Sequence, residues 1–119
     1  MKTSVLKGAA LDWAVAKCEG ITLYRSKNKK WMTANYGEFN HRHGAPWYSP
    51  STYWAEGGPI IEREGISIAR RGKYSWSEWG AVLNDFEFDE EGPTPLIAAM
   101  RCYVASKLGD DVDIPEELK

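Results

Sequence analysis

Four aromatic residues, Trp47, Tyr48, Tyr53 and Trp54, stand close together near the middle of the chain. Arg63, Arg70, Arg71 and Lys73 follow, and Tyr74, Trp76 and Trp79 come next. Nucleobases stack on such rings, at about 1–3 kcal/mol per base by truncation. Guanidinium forks match phosphate oxygens two at a time. Ser49, Ser51 and Thr52 add hydroxyls suited to a ribose or a phosphate. The pattern points to a small phosphorylated, nucleotide-like ligand. Its candidate binding residues are Trp47, Tyr48, Ser49, Ser51, Thr52, Trp54, Arg63, Arg70, Arg71 and Trp76. The competing reading places the tryptophans in the core of a small sheet-and-loop domain, because Trp is highly buried on average. Both hold together when some rings are core and others line a pocket.

Other chemistry is less legible. His41-Arg42-His43 is the only histidine cluster. Structural zinc takes four ligands, usually with Cys. Cys18 and Cys102 fall on two helices distant in sequence, so His41 and His43 read as solvated loop residues and no metal site is expected. Glu62 and Glu64 are two apart, and residues so spaced do not share a helix face. Gly57-Gly58-Pro59 before a helix offers backbone N–H groups to a phosphate, although a plain turn explains it equally well. No phosphate loop, Ser-His-Asp set or Cys-His pair is recognisable. The chain therefore reads as a binding module without a catalytic centre or cofactor.

The elements that must position these residues follow from periodicity and punctuation. Leu11, Val15 and Cys18 recur at helical spacing over Leu6 to Glu19, and Gly20 is placed to close that helix. Ile21–Tyr24 alternates as a strand, and Trp31–Thr33 returns as the second arm of a hairpin. Ala34 to Gly58 holds many glycines and prolines with six aromatics, which predicts a long loop region that packs down. Within it, Ser51 caps a short turn through Trp54–Glu56, ended by Gly57-Gly58. Pro59 begins another short helix, Ile60–Glu64, stopped by Gly65. Ile66–Ala69 and Tyr74–Ser77 read as paired antiparallel strands, Trp79–Leu83 as a continuation, and Asp85–Gly92 as an acidic loop. Thr94 at the N-cap and Pro95 at N1 open a last helix with one apolar stripe of Leu96, Ile97, Met100, Val104 and Leu108. The fold class is α+β: a small, mostly antiparallel sheet packed against N- and C-terminal helices. Residues 1–109 form the single domain and 110–119 an acidic tail expected to be mobile, with Ile114-Pro115 able to dock.

The 119 residues fit one domain, and 43% of them are hydrophobic. Net charge is −2, so bulk attraction to duplex nucleic acid or anionic lipid is not expected. The charge is uneven: residues 21–73 hold nine Lys/Arg against four Asp/Glu, and residues 74–119 hold three against eleven. No apolar stretch approaches a membrane span, and the N-terminus has no signal-peptide core. With two cysteines, this suggests an unsecreted protein with free thiols in a reducing compartment.

Four segments carry a family resemblance. They are Leu11-Asp12-Trp13-Ala14-Val15-Ala16, Tyr48-Ser49-Pro50-Ser51-Thr52 with Trp54, Gly57-Gly58-Pro59-Ile60-Ile61-Glu62, and Gly92-Pro93-Thr94-Pro95 running on through Leu96 to Val104. In this order they resemble the NinX-type family, small proteins of tailed phages and prophages of enteric bacteria. The resemblance implies a phage or prophage origin and expression in the bacterial cytoplasm. It carries over no catalytic residues.

Two functions from different classes follow. One is capture, without cleavage, of a phosphorylated or nucleotide-derived ligand such as a host defence signal, in a monomer or at the interfaces of a homo-oligomer. The other is a protein-interaction module for a host or phage protein, motivated by acidic Asp85–Glu91, the acidic tail and the aromatics. Single-stranded nucleic-acid binding is disfavoured by the net acidity, and hydrolysis by the lack of paired acid and base groups.

Overall fold

The computed structural model describes residues 1–25, 31–33, 48–72 and 78–119. Trp47, Trp76, Lys73, Tyr74, His41, His43 and the expected Tyr74–Ser77 strand lie outside them.

Helix α1 spans Gly8–Glu19 and buries Leu11, Ala14 and Val15. Gly20 ends it at φ +73°, a left-handed conformation that glycine adopts without Cβ strain, and its N–H returns to the carbonyls of Ala16 and Lys17. The expected hairpin is present: β1 (Leu23–Arg25) pairs antiparallel with β2 (Trp31–Thr33), Leu23 opposite Thr33.

Helix α2 corrects the sequence reading. A short turn through Trp54–Glu56 and a separate short helix, Ile60–Glu64, were expected on either side of Gly57-Gly58-Pro59, but one helix, Trp54–Glu64, runs through all three. Tyr53 precedes it without a side-chain cap, so Ser51 is not the cap. A helix tolerates glycine here because close packing requires it. A Cβ on Gly57 would stand 2.4 Å from the Pro50 carbonyl oxygen and 2.6 Å from Leu96 Cδ2.

The main sheet has three antiparallel strands in the order β3 (Ser67–Arg70), β4 (Trp79–Leu83), β5 (Phe88–Gly92). Ile68 faces Ala81, and Ala81 faces Glu90. The acidic loop expected at Asp85–Gly92 is a turn followed by a strand. Its charges mask an alternation: Phe88 packs against the core and Gly92 lies against Ala98, while Asp89 and Glu91 reach Arg71. Charged residues on an edge strand also discourage pairing with another chain.

Helix α3 spans Pro95–Leu108, with Thr94 Oγ1 accepting from the Ile97 N–H at 3.1 Å. Cap and first turn are as expected, but the single apolar stripe is too narrow. Leu96 and every residue from Ala98 to Ala105 are buried. The sheet covers one side of α3, and α1 and α2 pack on it from others, so it is the centre of the core. A helix surrounded in this way is apolar nearly all round.

The segment after Gly109, expected to be mobile apart from docking at Ile114-Pro115, packs down at Ile114 and already at Val112. Val112 and Ile114 are buried, the Met1 ammonium donates to the Val112 carbonyl at 2.8 Å, and Thr3 Oγ1 donates to Gly109 O at 2.6 Å. Cys18 and Cys102 are free, and burial pushes both thiols up to about 12. Among the described residues, no helix is long and apolar enough to cross a membrane.

Candidate functional site

The described candidate residues divide among separate places. Tyr48 and Ser51 are buried against the helices. The Ser51 N–H donates to Asp12 Oδ1 at 2.9 Å, while its hydroxyl is buried with no hydrogen-bond partner among the described residues. The Ser49 N–H donates to Glu56 Oε1 at 2.7 Å, holding the start of α2 to the preceding turn. Thr52 is exposed, and Trp54 is 54% exposed on the first turn of α2. Tyr48 and Ser51 thus lie in the core, and Ser51 ties the turn before α2 to α1.

Arg63 sits at the seam of the three helices. Its fork meets Glu19 at 2.6 and 3.1 Å, and its Nε donates to Glu64 at 2.9 Å. The Tyr103 hydroxyl donates to Glu19 as well, and Lys107 reaches Glu64 at 3.4 Å. Burial raises the Glu19 carboxyl, but the hydrogen bonds from Arg63 and Tyr103 outweigh it and hold it below its ordinary value. Arg63 likewise holds Glu64 down. The cluster is a clamp of α1, α2 and α3 whose charges answer one another.

Arg70 and Arg71 lie at the end of β3. Arg70 pairs with Glu78 at 2.7 Å and lies over the Trp79 ring, 5.8 Å from its centroid, on an exposed surface. Arg71 crosses Gly80, where a Cβ would stand 1.9 Å from its Nε, and pairs with Asp89 at 2.7 Å and Glu91 at 3.3 Å. Gly80 is thus the seat of that guanidinium.

Beside this pair opens a cavity of about 490 Å³, lined by Ser4, Arg71, Asp89, Glu90, Glu91 and Arg101. Ligand sites are commonly about 300–1,000 Å³. Arg101, from the middle of α3, is only 8% exposed. Its Nε donates to Leu6 O at 2.8 Å and its Nη1 to Glu91 O at 2.7 Å. Both acceptors are neutral carbonyls, and no carboxylate pairs with Arg101 among the described residues. Burial lowers its pKa, opposed by the charge of Glu90. Burial also raises Glu90, and Asp110 adds to the effect. Of the described candidate residues, this cavity takes in Arg71 alone.

Sequence reasoning missed Arg101 and Glu90. Arg101 carried a signal, as the only charged residue between Pro95 and Ser106 in an otherwise apolar helix. A charge there is either an error of burial or a group with work to do.

The segments that carried the resemblance meet in space: Asp12 holds Ser51, and Gly57 is wedged between Pro50 and Leu96. The model of the family described as Bacteriophage P22, NinX matches residues 2–107. No curated protein matches the chain.

Proposed function

Starting from the chain's place in the phage P22 NinX family, which marks it as a phage accessory protein, we propose that it binds a small phosphorylated, nucleotide-derived ligand without cleaving it. Capture of this kind lowers the free concentration of a host signal, and a defence messenger is the reading's natural target. The observation that supports it is Arg101: a buried guanidinium with no carboxylate partner among the described residues, opening into a cavity of nucleotide size beside Arg71. Burying a charge is costly, Glu90 offsets only part of that cost for Arg101, and an entering anion adds to the compensation. Arg71 pairs with Asp89 and Glu91 and offsets part of their charge, which lessens their repulsion of a phosphate.

Calorimetric titration with cyclic and ADP-ribose-type nucleotides tests the reading. Binding to at least one is expected, weakened in Arg71→Ala, with the nucleotide recovered intact by chromatography. Silence across the panel overturns the reading, and a cleaved product overturns its non-enzymatic part.

A second reading, docking on a host or phage protein, is favoured by the β4–β5 turn. Phe86 is 71% exposed there, between exposed Asp85 and Glu87. Asn84, Asp85 and Phe86 all have positive φ, of 54°, 53° and 70°. Strained backbone is concentrated at functional sites.

A further inference from the structure

Arg101 and Glu90 carry opposite charges, both are drawn at least partly out of water, and both line the cavity beside β5. They do not form an ion pair. Arg101 spends two N–H groups on backbone oxygens, leaving three of the five donors of a guanidinium. The Glu90 carboxyl meets no hydrogen-bond donor among the described residues. Two desolvated, opposite groups that share a cavity without closing on each other leave a gap with a definite chemical pattern: donors on one wall, acceptors on the other.

We infer that a ligand with two unlike ends bridges this gap, an anionic phosphate on Arg101 and two neighbouring N–H donors on Glu90. The inference rests on the nucleotide-capture reading and specifies it. Among the common bases, guanine presents such a donor pair. Its N1–H and exocyclic amino group lie side by side and match the two oxygens of a carboxylate. Adenine places an acceptor nitrogen beside its amino group, which sets a lone pair against Glu90. Hypoxanthine keeps the N1–H and lacks the amino group. The site is therefore one for guanine nucleotides. The side chains of Asp89 and Glu91 turn to Arg71 and leave the remaining donors of Arg101 to the phosphate.

Titration of the full chain with GMP, IMP and AMP at one ionic strength tests this. GMP is expected to bind at least about tenfold more tightly than IMP or AMP, the effect of one hydrogen bond to a charged group. Glu90→Gln is expected to weaken both GMP and IMP, GMP the more, so that the preference of GMP over IMP shrinks. Equal affinities for the three overturn the guanine assignment and leave the capture reading standing, as does silence here with binding of other nucleotides. An unchanged preference for GMP in a folded Glu90→Gln also overturns it. Silence with every nucleotide overturns both. The comparison of GMP with IMP uses the native chain, so it decides the matter even where the variant folds poorly.

Discussion

Asp12 Oδ1 accepts the backbone N–H of Ser51 at 2.9 Å across 39 residues of sequence. Both residues are buried, so this bond fixes the turn before α2 to α1 in a place water does not reach. Asp12→Ala leaves that N–H buried and unanswered, at a cost of about 1–3 kcal/mol. Asp12→Asn keeps an acceptor oxygen and is expected to cost less. Urea unfolding of the two variants checks the order, and an Ala variant as stable as the native chain contradicts it.

Gly57 and Gly58 are adjacent in α2 and predict opposite outcomes. Gly57→Ala drives a methyl into the Pro50 carbonyl and Leu96, and such overpacking costs about 1–3 kcal/mol. Gly58→Ala meets only Trp54 Cε3 at 3.9 Å, ordinary contact, and gains about 0.5–1 kcal/mol from helix propensity. Thermal melts of both variants read the difference in sign. A shared sign means that the wedge at Gly57 is not as tight as described.

The same pair shows why α2 was only half legible. Glycine and proline in sequence report backbone freedom, and here tertiary contact demanded the small residue instead. The acidic run Asp85–Glu91 hid a strand for a related reason: its apolar face consists of little more than Phe88 and Gly92. Thr94-Pro95 and Gly20 were legible because capping is local. The candidate site was less so. Aromatic and arginine residues close in sequence were expected to converge, yet Arg63 and Arg71 answer different carboxylates on different elements. Arg101 reaches the cavity only because α3 passes beneath β5, a long-range relation that spacing does not encode.

The Glu19–Arg63–Tyr103 clamp predicts acid sensitivity. Glu19 and Glu64 are held below the ordinary value of 4.5 in the folded chain. A depressed carboxyl contributes stability that is present above its unfolded pKa and lost as pH falls through the folded one. The melting temperature is therefore expected to decline as pH drops below about 4.5. Glu19→Gln should show a shallower decline from a lower starting point. Glu90 works in the other direction: its raised carboxyl costs stability as pH rises through the folded value, so Glu90→Gln should melt no lower than the native chain at neutral pH. Equal acid slopes for native and Glu19→Gln chains remove the clamp from the account.

Phe86 separates strain from packing. It stands at φ +70° with 71% of its surface exposed, so its ring gives the fold little and its backbone costs it about 1–2 kcal/mol. Phe86→Gly relieves that strain and is expected to leave the melting temperature unchanged or raised. Phe86→Ala keeps a Cβ in the left-handed region and should show less of any gain. A protein partner that grips the ring would be lost equally in both variants, because both remove it. A clear fall in stability for Phe86→Gly would instead show that the ring supports the β4–β5 hairpin, and the docking role would lose its physical basis.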